Sequence, residues 1–237
     1  MADFTSRLKK YIQLCPMTSG LLTVNTAFLI ITIITGGSEA FGSDNLVRLG
    51  GIVPSYVASG EYYRIIFAMF LHGGYLHFFS NMLALYFLGT PMERIMGGWR
   101  YLALYMLSGI GAGIMIVLFG YSNITFLNTY GEVSIGASTA IYGIMAGLVF
   151  ITIKRPGWFP RQTVKSIWMI AVLNFIITFI FPYISVVGHL SGFVFGFVLS
   201  LVLMPKIPEY QRKAVIAKYF QKKATSENDN DDDDYHY

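Results

Sequence analysis

Apolar residues gather in runs of close to 20 residues, rather than alternating or forming stripes on otherwise polar segments. The runs cover about 20–36, 74–92, 99–120, 136–153, 165–184 and 188–204. A helix needs about 20 apolar residues to cross a bilayer. The pattern predicts an all-α, polytopic membrane protein with six transmembrane helices, taken below as spans one to six. The connection 37–73 is long, carries glycine, proline and aromatics with few charges, and is expected to lie partly in the membrane interface. Residues 1–19 form an N-terminal cytoplasmic segment and 20–205 the six-span unit. The tail, 206–237, begins basic and ends in Asp231–Asp234. A terminal run of aspartates is expected to be solvated and disordered.

Composition agrees with this division. Hydrophobic residues make up 54% of the 237 and charged residues 13%, about half the charge of a soluble domain. The net charge of +4 does not point to nucleic acid, because the basic residues are divided among the connections between runs. Of the 17 lysines and arginines, 15 fall in four alternate segments. These hold Arg7, Lys9 and Lys10; Arg94 and Arg100; Lys154 to Lys165; and Lys206 onward. Only Arg48 and Arg64 lie in the other set. The positive-inside rule then puts both termini in the cytoplasm. Arg7, Lys9 and Lys10 ahead of Leu21–Thr35, with Ser38-Glu39-Ala40 after it, faintly mimic a signal peptide. Because the basic alternation runs through all six spans, span one is expected to stay. The single cysteine, Cys15, leaves no internal disulfide.

The candidate chemistry collects at one end of the even-numbered spans. Of four histidines, His72 and His77 open span two and His189 opens span six; Ser138 opens span four. Ionisable groups inside a membrane are costly, and each is a functional hypothesis. Gly188, Gly192 and Gly196 recur every fourth residue, as do Gly143 and Gly147, and small residues at this spacing let helices approach closely in lipid. If spans four and six pack through these faces, Ser138 and His189 come within reach. A histidine can take the proton from a serine hydroxyl that is otherwise a weak nucleophile. The N–H groups at the start of span four lack helical partners and make half an oxyanion site. His77 and Asn81, four apart on one helical face, could supply the rest. Tyr142 shares a face with Ser138 and could stack on His189. No acidic residue lies within spans four or six, so a Ser–His dyad is the serine mechanism on offer.

Ile135-Gly136-Ala137-Ser138-Thr139-Ala140-Ile141-Tyr142-Gly143 resembles the nucleophile motif of the rhomboid intramembrane proteases. His72 to Met82 resembles their span-two motif, and Gly188-His189-Leu190-Ser191-Gly192 their span-six histidine motif. Glu61-Tyr62-Tyr63-Arg64 is similar to their loop motif, with Tyr63 where tryptophan is usual. Glu93 with Gly97 resembles the turn after span two. The likeness covers about 20–205, and its departure is Thr139, where glycine is usual. It implies an intramembrane serine endopeptidase that cleaves single-span transmembrane substrates near the outer face of a plasma membrane. Ser138 would be nucleophile and His189 base, then acid. His77, Asn81 and the Ser138 N–H would hold the oxyanion, with Gly136, Tyr142 and His72 in support. No metal or cofactor is expected; the partners are substrates and the lipid bilayer, with no nucleic acid and an open oligomeric state. An alternative is a catalytically impaired rhomboid-like protein that binds membrane clients. A histidine-ligated haem protein is a further alternative, and a transporter is disfavoured because no inverted repeat is visible.

The topology is directly measurable. Cysteines substituted at Ser43 and at Asn128 should react with an impermeant thiol reagent added outside the cell. Reaction from the cytoplasmic side alone would contradict the six-span arrangement.

Overall fold

The computed structural model describes residues 2–120, 133–181, 183–212 and 214. Asn128 and most of the tail fall outside these residues. Span one is Pro16–Gly36, span three Gly98–Phe119, span five Arg161–Ile180 and span six Val186–Leu203. These four are long and apolar enough to cross a membrane. The other two runs also form helices, and each departs from a regular crossing for a physical reason.

Span two is Tyr75–Ala84, a π turn over Leu85–Gly89 and Thr90–Met96. Pro91 has no N–H to offer the carbonyl of Phe87, and the helix widens just before it. It also runs on past the expected end at 92, to Met96. Span four is Ser138–Lys154, only 17 residues. At 1.5 Å per residue it spans roughly 26 Å, short of a hydrocarbon core of about 30 Å. Every residue from Thr139 to Thr152 is buried, which is why the run is apolar on all faces. Span four is the central post of the bundle, with Ser138 half-buried at its start.

Spans four and six touch at backbone level. A Cβ on Gly192 would strike the carbonyl of Thr139, and one on Gly196 would strike the backbone of Gly143. Span four's glycines do not simply mirror this. A Cβ on Gly143 would meet Ser108 of span three, and one on Gly147 would meet Met92 of span two. The small residues of span four therefore admit three neighbours, not span six alone. Around this centre pack Tyr101, Leu104, Tyr105, Met92, Ile144 and Met145, all essentially inaccessible.

Span one is held by a buried carboxylate. Glu93 accepts from the N–H groups of Met17 (2.9 Å) and Thr18 (2.8 Å) and from the Thr18 hydroxyl (2.7 Å). It satisfies orphan donors at a helix N-terminus, where negative charge is favoured. Before this lies a helix the hydrophobic runs did not predict, Ala2–Leu14. Its exposed Phe4, Leu8 and Ile12 recur every fourth residue among Arg7, Lys9 and Lys10. That is the pattern of a helix lying along an interface.

The 37–73 connection is a folded cap of short helices, Ser43–Arg48, Pro54–Ala58 and Arg64–Phe67, with 3₁₀ turns at Gly37–Glu39 and Ala68–Phe70. Arg64, buried, bonds the carbonyls of Val47 and Gly51 (3.0 Å to Gly51) and pairs with Glu61 at 2.7 Å. The Tyr63 hydroxyl and the Arg64 guanidinium hold the half-buried Glu61 carboxyl below its usual range. The cap fixes the approach to span four. Ile52 forms an isolated antiparallel bridge with Ser134, and the Gly136 N–H donates to the Ala68 carbonyl at 2.8 Å.

A change at the helix contact tests this packing. Gly192→Val should lower the stability of the micellar protein by about 1–3 kcal/mol, the usual cost of overpacking. Gly20→Val, where a Cβ meets nothing within 4 Å, should change it by less than about 0.5 kcal/mol, as expected of exposed sites. Thermal unfolding followed by circular dichroism reads both, and equal effects would contradict the contact.

Candidate active site

The start of span four and the start of span six meet at one point. Ser138 stands at the first turn of its helix, after Gly136, whose φ of +125° favours glycine. Span six begins with Ser185, whose hydroxyl accepts from the Gly188 N–H at 3.0 Å and caps the helix. His189 follows, on the face that carries Gly188 and Gly192. The Ser138 hydroxyl and His189 Nε2 are 2.8 Å apart. The imidazole lies flat on Tyr142, with ring centroids at 4.1 Å and planes 17° apart. The stacking expected of Tyr142 is thus present in the geometry.

The other side of His189 has a partner that the sequence reading missed. Thr178, near the end of span five, places its hydroxyl 2.9 Å from His189 Nδ1. The same hydroxyl is 2.6 Å from the Tyr142 hydroxyl and 2.9 Å from the Asn174 carbonyl. The Tyr142 hydroxyl also lies 2.8 Å from that carbonyl. Both ring nitrogens of His189 are therefore engaged by protein hydroxyls. A lone threonine in an apolar run gives no signal of its own. Only the Thr178/Asn174 spacing of four, which puts both on one face, could have pointed to it.

Facing Ser138 from span two are His77 and Asn81. The Gly73 N–H lies 3.3 Å from His77 Nδ1, so Nδ1 accepts and the ring proton resides on Nε2. That nitrogen points to the gap beside Gly136. A Cβ on Gly136 would come within 3.0 Å of His77 Nε2 and 3.5 Å of the Ser138 hydroxyl, so the glycine keeps this gap open. The Asn81 Nδ2 is buried with no hydrogen-bond partner. An orphaned buried donor is costly, and its retention calls for an explanation. No hydrogen bond joins His77 or Asn81 to Ser138 directly. All three line one cavity of about 1090 Å³, along with Gly136, Tyr142 and His189. His72 does not face Ser138. It is buried edge-on against His77 (5.1 Å) and Phe78 (5.3 Å) and backs the His77 ring.

Thr139 does not close the site. Its methyl group lies against Gly188 and its carbonyl against Gly192, so its bulk is taken up between spans four and six. Among the described residues no three His, Cys, Asp or Glu side chains converge on a point that could hold a metal ion.

Comparison with known proteins places this arrangement. The chain is 31% identical over 185 residues to the rhomboid protease GluP of Bacillus subtilis, which covers 78% of this chain and 34% of that protein. It is 32% identical over 168 residues to RHOMBOID-like protein 5 of Arabidopsis thaliana, covering 70% of this chain and 51% of the relative. With the rhomboid protease AarA of Providencia stuartii it shares 31% identity over 144 residues, 58% of this chain and 51% of the other. The matched stretch thus spans between a third and about half of these relatives. A family model, the rhomboid domain, matches residues 59–206, more than half of the chain and inclusive of every candidate residue named above. This six-span protein belongs to the rhomboid family.

Proposed function

We propose that the protein is an intramembrane serine endopeptidase acting on single-span transmembrane proteins. The observation that carries this reading is the 2.8 Å contact between the Ser138 hydroxyl and His189 Nε2, opening onto a cavity with unpaired donors. Ser138 attacks the scissile carbonyl carbon, and its proton passes to Nε2. The carbonyl oxygen becomes an oxyanion, held by the Ser138 N–H, His77 Nε2–H and Asn81 Nδ2–H. Such donors act on charge that exists only near the transition state, and so raise turnover more than affinity. The imidazolium then gives its proton to the leaving amine as the C–N bond breaks. Water, deprotonated by the same nitrogen, cleaves the acyl-enzyme and restores Ser138. The Asn81 amide, buried without a partner in the resting site, gains one in this step.

The catalytic unit is residues 20–205, with both termini in the cytoplasm of a plasma-membrane enzyme, as the basic residues indicate. The site then lies toward the outer leaflet, and cleavage falls near the outer end of the substrate's span. The cavity that Ser138 shares with cap residues Leu46, Ile52 and Ile65 receives an unwound peptide segment of the substrate.

Turnover of a transmembrane reporter in liposomes tests the assignment. Ser138→Ala and His189→Ala should each abolish cleavage, and the double variant should be no worse, because the two act as a unit. His77→Ala or Asn81→Ala should lower kcat by about 10²–10³-fold with a smaller change in KM. Gly136→Ala should also remove activity, since its methyl group occupies the space between His77 and Ser138. Reporter binding without cleavage by the wild type would instead favour the client-binding alternative.

A further inference from the structure

We infer that Thr178 is a positioning residue which, together with Tyr142, holds His189 in the tautomer with its proton on Nδ1. The inference rests on His189 being the base of the proposed protease, and it adds a third member, carried by span five, to the Ser–His pair.

The available protons decide the tautomer. Three oxygens form a closed triangle: Thr178 to Tyr142 at 2.6 Å, Tyr142 to the Asn174 carbonyl at 2.8 Å, and Thr178 to the same carbonyl at 2.9 Å. Each hydroxyl has one proton and two acceptor lone pairs, and the carbonyl has none to give. The triangle therefore has three edges and two protons. Two oxygens at 2.6 Å need a proton between them, so the Thr178–Tyr142 edge uses one. If Tyr142 donates along it, the Thr178 proton goes to the Asn174 carbonyl. If Thr178 donates, the Tyr142 proton goes to that carbonyl. Both arrangements leave Thr178 with a free lone pair and no proton to spare.

Thr178 must then accept at its remaining contact, 2.9 Å from His189 Nδ1, and the ring nitrogen must donate. Turning the Thr178 proton toward Nδ1 would leave a single proton for three short oxygen contacts, two of them to a carbonyl. With Nδ1 protonated, neutral His189 presents a bare Nε2 to Ser138 at 2.8 Å, the form that can take the hydroxyl proton. A threonine and a tyrosine thereby do what a carboxylate does in a three-member site, without a charge in the membrane interior. Thr178 is 2% exposed, which shields this contact from bulk solvent.

The test combines ¹⁵N-histidine NMR with kinetics on the full chain in micelles, using Thr178→Val, which keeps the shape and deletes the hydroxyl, and Thr178→Ser, which returns it. The His189 signals are identified by their loss in His189→Gln. Wild type at a pH where the ring is neutral should show the proton on Nδ1 and a bare Nε2. Thr178→Val should shift the population toward Nε2–H and lower kcat about 10- to 10²-fold with KM within about twofold. That loss is smaller than the roughly 10⁴-fold known when an orienting carboxylate is replaced. Thr178→Ser should restore the tautomer and bring kcat back to within about threefold. A wild-type ring protonated on Nε2 would overturn the inference, as would an unchanged tautomer in Thr178→Val. Equal kcat losses in the Val and Ser variants would overturn it too, by showing a packing effect. If the wild type cleaves nothing, the protease reading fails while the NMR result still decides the tautomer.

Discussion

Close backbone contact between spans four and six is the constraint on which the rest depends. Gly192 under the Thr139 carbonyl and Gly196 against Gly143 bring the two axes nearer than larger side chains would allow. That approach sets the Ser138–His189 distance. A methyl group at either position would meet the backbone of span four, so the two helices would have to shift apart. The rest of the bundle supports this contact. Gly143 and Gly147 admit spans three and two to the other sides of span four, and Glu93 fixes span one through its N-terminal amides. The cap, with Arg64 at its centre, holds Ser134 and Gly136 in line before the nucleophile candidate.

A half-buried serine bonded to a buried histidine needs this architecture. Span four is short for a crossing helix, and its neighbours enclose it from Thr139 to Thr152. The polar groups that gather there cannot be left to lipid; Ser138, His189, Tyr142 and Thr178 bond to one another, while both ring nitrogens of His72 and the Asn81 amide nitrogen have no partner among the described residues. Of these open groups the Asn81 amide lines the cavity, as does the gap at Gly136. They sit where a developing oxyanion would need donors.

Much of this was legible in the sequence because membranes make the code simple. Runs near 20 residues gave the six helices. Ser138 and His189 stood out because a serine, a histidine and regularly spaced glycines at one depth have few bland explanations together. The misses have physical causes. The Ala2–Leu14 helix has a stripe, not a run, and a search for spans passes over it. The π turn follows from Pro91, but its extent depends on how the neighbours pack. The glycines of spans four and six predicted that these two helices pack together, and the structure also sets Gly143 against span three and Gly147 against span two. Thr178 was invisible because its role depends on the register between spans five and six, which no local pattern records.

The central claim is that Ser138 is a nucleophile activated by His189. Mapping of a covalent adduct tests it most directly. Micellar protein treated with a fluorophosphonate and digested should give a single modified peptide, with the phosphonyl group on Ser138. His189→Ala should abolish that modification while keeping the helical circular dichroism of the wild type. A phosphonyl group on another serine, or undiminished modification of Ser138 in His189→Ala, would contradict the account.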